Sequence, residues 1–152
     1  FAANCAEKLR EQGSCAASLM VFIHTNNFRA DMPQYYRNCV LTLPTPCNST
    51  IEIVKYARKA LEKIFMNGYA YKKAGVIITE ITGENVQLNL FHRVDRVKHD
   101  RMMETLDKLN DRFYRNKVYL AAMGTGGTWK LKQEHCSKRY TTRLDEIINV
   151  KV

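Results

Sequence analysis

The residues with the clearest potential for chemistry lie in one short segment, Gln87-Leu88-Asn89-Leu90-Phe91. The segment combines three large apolar side chains with a glutamine amide, which can both donate and accept hydrogen bonds. It follows a predicted strand and precedes a predicted helix, so it lies in a connector. Apolar side chains in a connector either fold back on their own domain or bind a groove on a partner. The second interpretation would make the chain an adaptor rather than an enzyme.

Residue types that could catalyse a reaction are present, but their spacing does not favour catalysis. His135 and Cys136 are adjacent, and neighbours on an extended chain point to opposite sides, which makes a poor nucleophile–base pair. Asp107 and Asp111 share a helix face with cations close by, a pattern typical of solvated ion pairs. No predicted strand offers the carboxylate cluster that two-metal nucleotidyl transfer needs. The sequence therefore predicts no catalytic residue, metal site or cofactor, and a small basic enzyme using His135 or Cys136 is a minor alternative.

The charge of the chain is strongly basic and uneven. The net charge is +9, with ten Lys or Arg against seven Asp or Glu in residues 1–86, and fourteen against eight in residues 87–152. A basic excess of this size favours a polyanionic partner, most often nucleic acid. The alternative is a soluble basic surface without a specific partner.

Length and cysteine usage narrow the class of protein. A chain of 152 residues fits one domain, or one domain with a structured tail. Its five scattered cysteines lack the spacing of a metal site and are typical of reduced thiols, so we expect a cytoplasmic protein. No apolar run approaches the length of a membrane span, and no segment resembles a cleavable signal. The sequence starts at Phe1 without a Met and enters helix-like sequence at once, which favours an excised piece of a longer protein.

The periodicity of apolar residues predicts the elements that must position these side chains. Helices are expected over 1–12, 49–67 and 95–114, strands over 19–25, 36–43 and 73–81, and a short additional strand is a candidate over 117–123. Ser49 and Glu52 have the spacing of a capping box. Pro44 and Pro46 are expected to end the second strand, because proline cannot donate to a ladder.

The two longer helices each carry an apolar stripe that we expect to face a core. On the first it consists of Ile51, Val54, Leu61, Ile64 and Phe65, and on the second of Met102, Leu106, Leu109 and Phe113. The order helix, strand, strand, helix, strand predicts an α+β fold. In this fold an antiparallel sheet is covered on one face by two helices, with a first strand lying outside this sequence.

Five blocks of the sequence resemble the C-terminal portion of UmuC-like proteins, which are translesion DNA polymerases of the Y family. In chain order they are Phe22-Ile23-His24-Thr25-Asn26-Asn27-Phe28, Leu43-Pro44-Thr45-Pro46, Tyr71-Lys72-Lys73-Ala74-Gly75-Val76, the pentapeptide 87–91 and Arg139-Tyr140-Thr141-Thr142-Arg143. The resemblance spans nearly the whole chain. It implies a partial little-finger DNA-binding domain over 1–86, a sliding-clamp-binding motif over 87–91 and a UmuC-type C-terminal region over 92–152.

The resemblance also implies roles for individual residues. The residues that would bind the beta sliding clamp are Gln87, Leu88, Leu90 and Phe91. The candidates for contacts with primer–template DNA are Arg29, Arg37, Lys72 and Lys73 on the strands and their ends, and Arg139 and Arg143 in the tail. The catalytic carboxylates of such a polymerase, and their Mg, would belong to a palm domain upstream of this chain.

Two further partners, the processed UmuD dimer and RecA, follow from the resemblance alone. The resulting prediction is a non-catalytic DNA-binding and clamp-tethering fragment of an error-prone translesion polymerase that acts in the SOS response to DNA damage. The alternative is a protein-interaction module of a DNA repair assembly, on which the basic charge is incidental.

Overall fold

The computed structural model describes residues 1–84, 86, 94–113, 117–124 and 136–147. The described residues form three helices and three strands. In chain order these are α1 (Ala2–Glu11), β1 (Ser14–Thr25), β2 (Tyr36–Cys47), α2 (Thr50–Ile64), β3 (Tyr71–Gly83) and α3 (Arg96–Phe113). Single 3-10 turns follow at Ala121–Met123 and Leu144–Glu146. The predicted α+β class is confirmed. The pentapeptide 87–91 and His135 lie outside the described residues.

The sheet is antiparallel, with β1 in the centre and β2 and β3 at its sides. Side chains alternate between the two faces of a strand. Leu19, Val21 and Ile23 of β1 are buried and belong to the same apolar core as residues of α1 and α2. Both helices therefore cover one face of the sheet. Met20, Phe22 and His24 point to the other face, which α1 and α2 leave open.

Helix α2 contacts the sheet through a different face from the predicted one. Its contribution to the core is made by Ile53, Ala57, Ala60 and Ile64. Of the predicted stripe only Ile64 is fully buried, whereas Leu61 and Phe65 are exposed. The two alanines explain the difference, because small side chains let the helix approach the sheet closely and leave the larger apolar residues at its flanks. The predicted stripe of α2 was therefore largely wrong.

Strand β2 continues through Pro44 and Pro46 to Cys47, so the expectation that these prolines end it was wrong. β2 is an edge strand, and an edge strand tolerates a residue without an N–H. The register also shifts here, because Ser18 pairs with Thr42 but Ala16 pairs with Cys47. Residues 43–46, which contain both prolines, bulge out of the ladder, and the strand continues beyond them to Cys47.

The predicted capping box of α2 does not form. Ser49 is the N-cap residue, but its side chain makes no capping hydrogen bond. Its hydroxyl lies 3.3 Å from Nδ1 of His99 in α3. Glu52 turns to the same helix and binds Arg96, with the closest oxygen and nitrogen 2.6 Å apart. Both side chains of the motif are thus used to hold a neighbouring element.

Helix α3 docks on the α1–α2 layer, mainly through ion pairs. Arg10 of α1 binds both carboxylate oxygens of Asp107, at 2.6 and 2.7 Å. Met103 is the buried apolar residue of α3, with 1% of its surface exposed. The predicted stripe was wrong in this respect, since Met102, Leu109 and Phe113 are all exposed. Asp107 was likewise expected to be solvated, but it binds across to another helix.

The segment after α3 is not the strand that its sequence suggested. Residues Ala121–Met123 form a 3-10 turn. The preceding residues are held by one amide side chain, since Asn110 accepts from the N–H groups of Lys117 and Val118 and donates to the Val118 carbonyl oxygen. Local hydrogen bonds to α3 thus replace the ladder that a strand would need.

None of the helices in the described part of the chain combines the length and the apolar character that crossing a membrane requires.

Candidate nucleic-acid interface

The open face of the sheet presents a row of side chains near one end. His24 of β1 pairs with Tyr36 of β2 on one side and with Lys73 of β3 on the other. Residues directly opposite each other in a sheet project from the same face. Tyr36, His24 and Lys73 therefore lie side by side across the three strands, on the face that α1 and α2 do not cover.

The aromatic members of this face contact one another. The ring centroids of Phe22 and His24 are 5.7 Å apart with the planes stacked, and those of His24 and Tyr36 are 5.2 Å apart. The Phe22 ring lies over Gly75, where a Cβ would come within 2.4 Å of its Cζ. The absence of a side chain at Gly75 is what lets the ring lie across β3. The result is a row of rings that starts above β3 and ends at Tyr36, of which 59% is exposed.

Four of the predicted DNA-binding residues lie at the same end of the sheet. Lys72 and Lys73 are the second and third residues of β3, and Arg37 is the second residue of β2. Arg29 lies in the connector between β1 and β2. Antiparallel pairing brings the end of β1 together with the starts of β2 and β3. Residues 26–37 and 69–73 contain these four cations against one carboxylate, Asp31, a net charge of +3. This end of the sheet, defined by those two segments, is called the basic end below.

The four cations differ in where their side chains project. Lys73 lies on the open face, opposite His24. The register shifts at this point, because Thr25 pairs with Tyr71, so Lys72 is an additional residue that bulges from β3. Arg37 pairs with Ile23 and so belongs to the helix-covered face, at the outer edge of the sheet. All three are exposed to solvent.

Arg29 is held by its own loop. Its guanidinium binds both oxygens of Asp31, at 2.6 and 2.8 Å, on the surface. This hydrogen bonding holds the pKa of Asp31 below its usual range. The pairing offsets the charge of Arg29, so Lys72, Lys73 and Arg37 carry the larger part of the positive charge at the basic end.

Other aromatic residues near the basic end have a structural role. Tyr35, Tyr69 and Tyr71 contact one another, with ring centroids between 4.6 and 6.3 Å apart. The Tyr35 hydroxyl donates to the Ile64 carbonyl oxygen and the Tyr71 hydroxyl donates to that of Met66. These bonds fix the end of α2 against the sheet, so α2 ends three residues before the predicted Asn67.

The described part of the tail is a compact turn with internal charge pairing. The backbone N–H of Arg139 donates to the carboxylate of Glu146. The guanidinium of Arg143 lies 3.2 Å from the same carboxylate. Glu146 thus offsets the charge of Arg143, whereas its bond to Arg139 is to the backbone, and both arginine side chains are exposed. The predicted clamp-binding residues at 87–91 lie outside the described residues.

Two features of the site escaped sequence reasoning. The stacked row of Phe22, His24 and Tyr36 was not recognised, although Phe22 and His24 stand two residues apart on β1, the spacing of one sheet face. Pairing Tyr36 with His24 requires the β1–β2 register, which periodicity alone does not supply. The position of Arg37 on the opposite face from Lys73 follows from the same register.

The buried end of the core, next to α3, contains thiols but no cluster suited to a metal. Burial raises the pKa of the Cys47 thiol to about 11, with a further contribution from the Glu52 carboxylate and an opposing one from Arg96. Burial also raises the pKa of Cys15. Within the described residues, no three His, Cys, Asp or Glu side chains come together as metal ligands would. Cys15 and Cys47 are therefore inert core thiols in this fold.

Comparison with known proteins places the chain in a family. Residues 1–90 match the impB/mucB/samB family C-terminal domain, and residues 100–150 match a domain of unknown function, DUF4113. The chain is 36% identical over 153 residues to Protein UmuC of Salmonella typhimurium, covering 99% of the chain and 36% of the relative. Identity to Protein ImpB of Salmonella typhimurium is 34% over 149 residues, with 97% and 35% covered. Identity to Protein MucB of Escherichia coli is 30% over 143 residues, with 93% and 34% covered.

The chain spans about a third of the length of these curated relatives. The family model covers more than half of the chain, and it covers the whole sheet together with α1 and α2. The chain therefore belongs to the impB/mucB/samB family, as a C-terminal fragment of a UmuC-like protein.

Proposed function

We propose that this chain is the DNA-binding and clamp-tethering part of a translesion DNA polymerase that acts in the SOS response to DNA damage. The chain itself would be non-catalytic, with the palm carboxylates and their Mg in another part of the parent protein. Membership of the impB/mucB/samB family supports a role in DNA repair. The observation that carries the DNA-binding part is the juxtaposition of an open sheet face with the basic end.

The basic end suits contacts with the phosphate backbone. Lysine and arginine on phosphates supply affinity and position the protein without reading base sequence. Lys72, Lys73 and Arg37 are exposed, and the ion pair described within segments 26–37 and 69–73 is that of Arg29 with Asp31. Binding through phosphates, which does not depend on base sequence, suits a polymerase that must accept damaged and irregular templates. Arg139 and Arg143 would add a second, weaker contact, because Glu146 offsets the charge of Arg143.

The pentapeptide would serve as the tether to the beta sliding clamp. Leu88, Leu90 and Phe91 would each contribute about 1.5–3 kcal/mol on burial in a groove, and the Gln87 amide would fix the register. After the cost of ordering a peptide, affinity near the micromolar range, about −8 kcal/mol, is expected. A tether of this strength acts by raising the local concentration of the polymerase at the primer end.

The elements on either side of the pentapeptide support this assignment. β3 is paired along its length with the central strand β1, and α3 is fixed by ion pairs of Arg96 with Glu52 and of Asp107 with Arg10. The chain from Gly83 to Arg96 therefore connects two anchored elements. The connector leaves β3 at Gly83, which pairs with Ser14 at the end of the sheet away from the basic end.

Binding of the purified sliding clamp tests the tether. We expect wild-type chain to bind and the Leu90→Ala/Phe91→Ala variant to lose at least tenfold in affinity, with DNA binding unchanged. Exposed Leu144, in the tail turn, provides a control, because Leu144→Ala removes an exposed leucine outside the motif. Clamp affinity that is equal in the wild type and the double variant would rule out the pentapeptide as the tether.

The second candidate is a protein-interaction module, and one surface favours it. A groove of about 470 Å³ lies between α2 and residues 120–122, lined by Ile51 and Val54 together with three basic side chains and Glu62. The processed UmuD dimer and RecA are the partners to test first. The substitution Val54→Glu should abolish their binding if this groove holds them, while DNA affinity that is insensitive to salt would favour this class over phosphate binding.

A further inference from the structure

We propose that Tyr36 forms a stacking subsite for an unpaired nucleobase on the open face of the sheet. The subsite rests on the DNA-binding function proposed above and adds a contact of a different chemical class. Phosphate contacts fix the position of a DNA strand, whereas an aromatic ring adds affinity for a base that is not already stacked in a duplex.

The geometry of the ring row leaves Tyr36 available. Phe22 stacks on His24 at 5.7 Å, and His24 contacts Tyr36 at 5.2 Å. Phe22 is itself supported by Gly75 below it. Tyr36 is the last ring of the row, stands at the edge strand β2 and is 59% exposed. An incoming base would continue an existing stack, on a ring that the row already holds in place.

Tyr36 also differs from the neighbouring tyrosines. Tyr35 and Tyr71 project to the helix-covered face, pack against the core and use their hydroxyls to hold the end of α2. Tyr36 projects to the open face, where its described ring contact is to His24. Tyr35 and Tyr71 thus have a structural role at the basic end, whereas Tyr36 lies outside their cluster, on the open face.

Charge next to the ring identifies the kind of ligand. Lys73 stands in the same row, on the far side of His24, and Lys72 bulges from β3 beside it. Arg37 follows Tyr36 at the edge of the sheet and projects from the other face. Sites for single-stranded nucleic acid combine cations, which bind the phosphate backbone, with exposed aromatic rings, on which the bases stack. In a duplex both faces of each base are covered by neighbouring bases, so the subsite would select an unpaired base, such as one next to a primer–template junction.

A comparison of two DNA probes tests the subsite. One probe is a blunt duplex, and the other is the same duplex with a short single-stranded extension that carries 2-aminopurine. We expect wild-type chain to bind the extended probe about 5- to 150-fold more tightly and to quench the 2-aminopurine fluorescence, as stacking on an aromatic ring would. Tyr36→Leu should remove both the preference and the quenching, and Tyr36→Trp should retain both.

The matched control is Val40→Ala, because Val40 lies on the same strand and the same face and is 57% exposed. It should leave the preference intact. Equal preference in wild type and Tyr36→Leu, or an equal loss in Val40→Ala, would overturn the subsite. Salt-dependent binding of both probes without any preference would overturn the subsite alone. Failure of wild-type chain to bind either probe would overturn the proposed DNA-binding function as well.

Discussion

Gly75 shows how one residue shapes the candidate interface. Its position on β3 is where the Phe22 ring crosses the sheet, and a Cβ there would meet the ring at 2.4 and 2.5 Å. Real Cβ atoms do not approach other atoms so closely, so any larger residue must displace the ring. The positions of Phe22, His24 and Tyr36 in the ring row therefore depend on glycine, which has no side chain, at position 75 of β3.

We predict that Gly75→Ala destabilises the chain by about 1–3 kcal/mol, because the Phe22 ring must leave its position. Urea denaturation measures the change. Gly83→Ala is the control, since a Cβ at Gly83 meets nothing within 4 Å, and its effect should stay within about 0.5 kcal/mol. Equal stability of Gly75→Ala and wild type would mean that the ring does not lie on Gly75.

A second prediction concerns the pH dependence contributed by Cys47. Burial raises the pKa of this thiol from 9.0 to about 11 in the folded chain, so the unfolded chain loses the proton at a lower pH. The buried, protonated thiol therefore stabilises the fold fully below pH 9, and this contribution is lost as the pH rises to about 11.

The measurement is the free energy of unfolding of wild type and Cys47→Ala between pH 8 and 11. The difference between them should fall with rising pH, at a rate of at most about 1.4 kcal/mol per pH unit. Val40→Ala is the control, because it removes an exposed residue without a titratable group, and its profile should run parallel to that of the wild type. A Cys47→Ala profile parallel to the wild type would contradict the burial of a protonated thiol.

At the scale of secondary-structure elements, the docking of α3 is the least expected feature. The helix is attached by two arginine–carboxylate pairs and one buried methionine, with most of its apolar stripe exposed. Glu52 is 6% exposed and Arg96 16%, so this pair is largely removed from water. An ion pair in such surroundings costs much more to break than one on the surface.

We therefore predict that Glu52→Gln destabilises the chain by about 2–4 kcal/mol, because Arg96 is left without its anionic partner. Hydrogen exchange over Arg96–Phe113 should speed up more than exchange in β1. The exposed pair of Arg58 with Glu62 supplies the control, and Glu62→Gln should change stability by less than about 0.5 kcal/mol. Similar effects of the two substitutions would contradict the docking of α3 through Glu52.

Element types could be predicted from the sequence more readily than their contacts. The periodicity of residues 73–81 and 95–114 placed β3 and α3 within a few residues, because local repeats determine the type of an element. The contact faces depended on partners distant in sequence. Ala57 and Ala60 lie against the sheet because they are small, and Ser49 and Glu52 abandon the capping box because α3 offers stronger partners.

Contacts between residues distant in sequence also decide which parts of the candidate site could be predicted. The family resemblance, together with residue type, predicted Lys72 and Lys73 as DNA-binding candidates, and the structure brings them to one end of the sheet with Arg29 and Arg37. The projection of Arg37 from the other face, and the row through His24 to Tyr36, follow from strand register. Register is set by pairing between residues up to 69 positions apart, as for Ser14 with Gly83, which single-sequence patterns do not encode.

At the scale of the whole molecule, the two functions that we propose use different segments of the chain, 26–37 and 69–73 for DNA and 87–91 for the clamp. The open sheet face and its basic end lie opposite the helices, and the pentapeptide lies in the connector between β3 and α3. α3 is held to the helix layer, away from the open face.

The most direct test of this account is the salt dependence of duplex DNA affinity. We predict a linear fall of log K with log salt concentration, and a slope reduced by about two in Lys72→Gln/Lys73→Gln, because each lysine on a phosphate contributes about one unit. Lys55→Gln/Lys59→Gln, which removes the same charge from the outer face of α2, should leave the slope nearly unchanged. Affinity that does not respond to salt, or equal loss in the two double variants, would contradict DNA binding at the basic end.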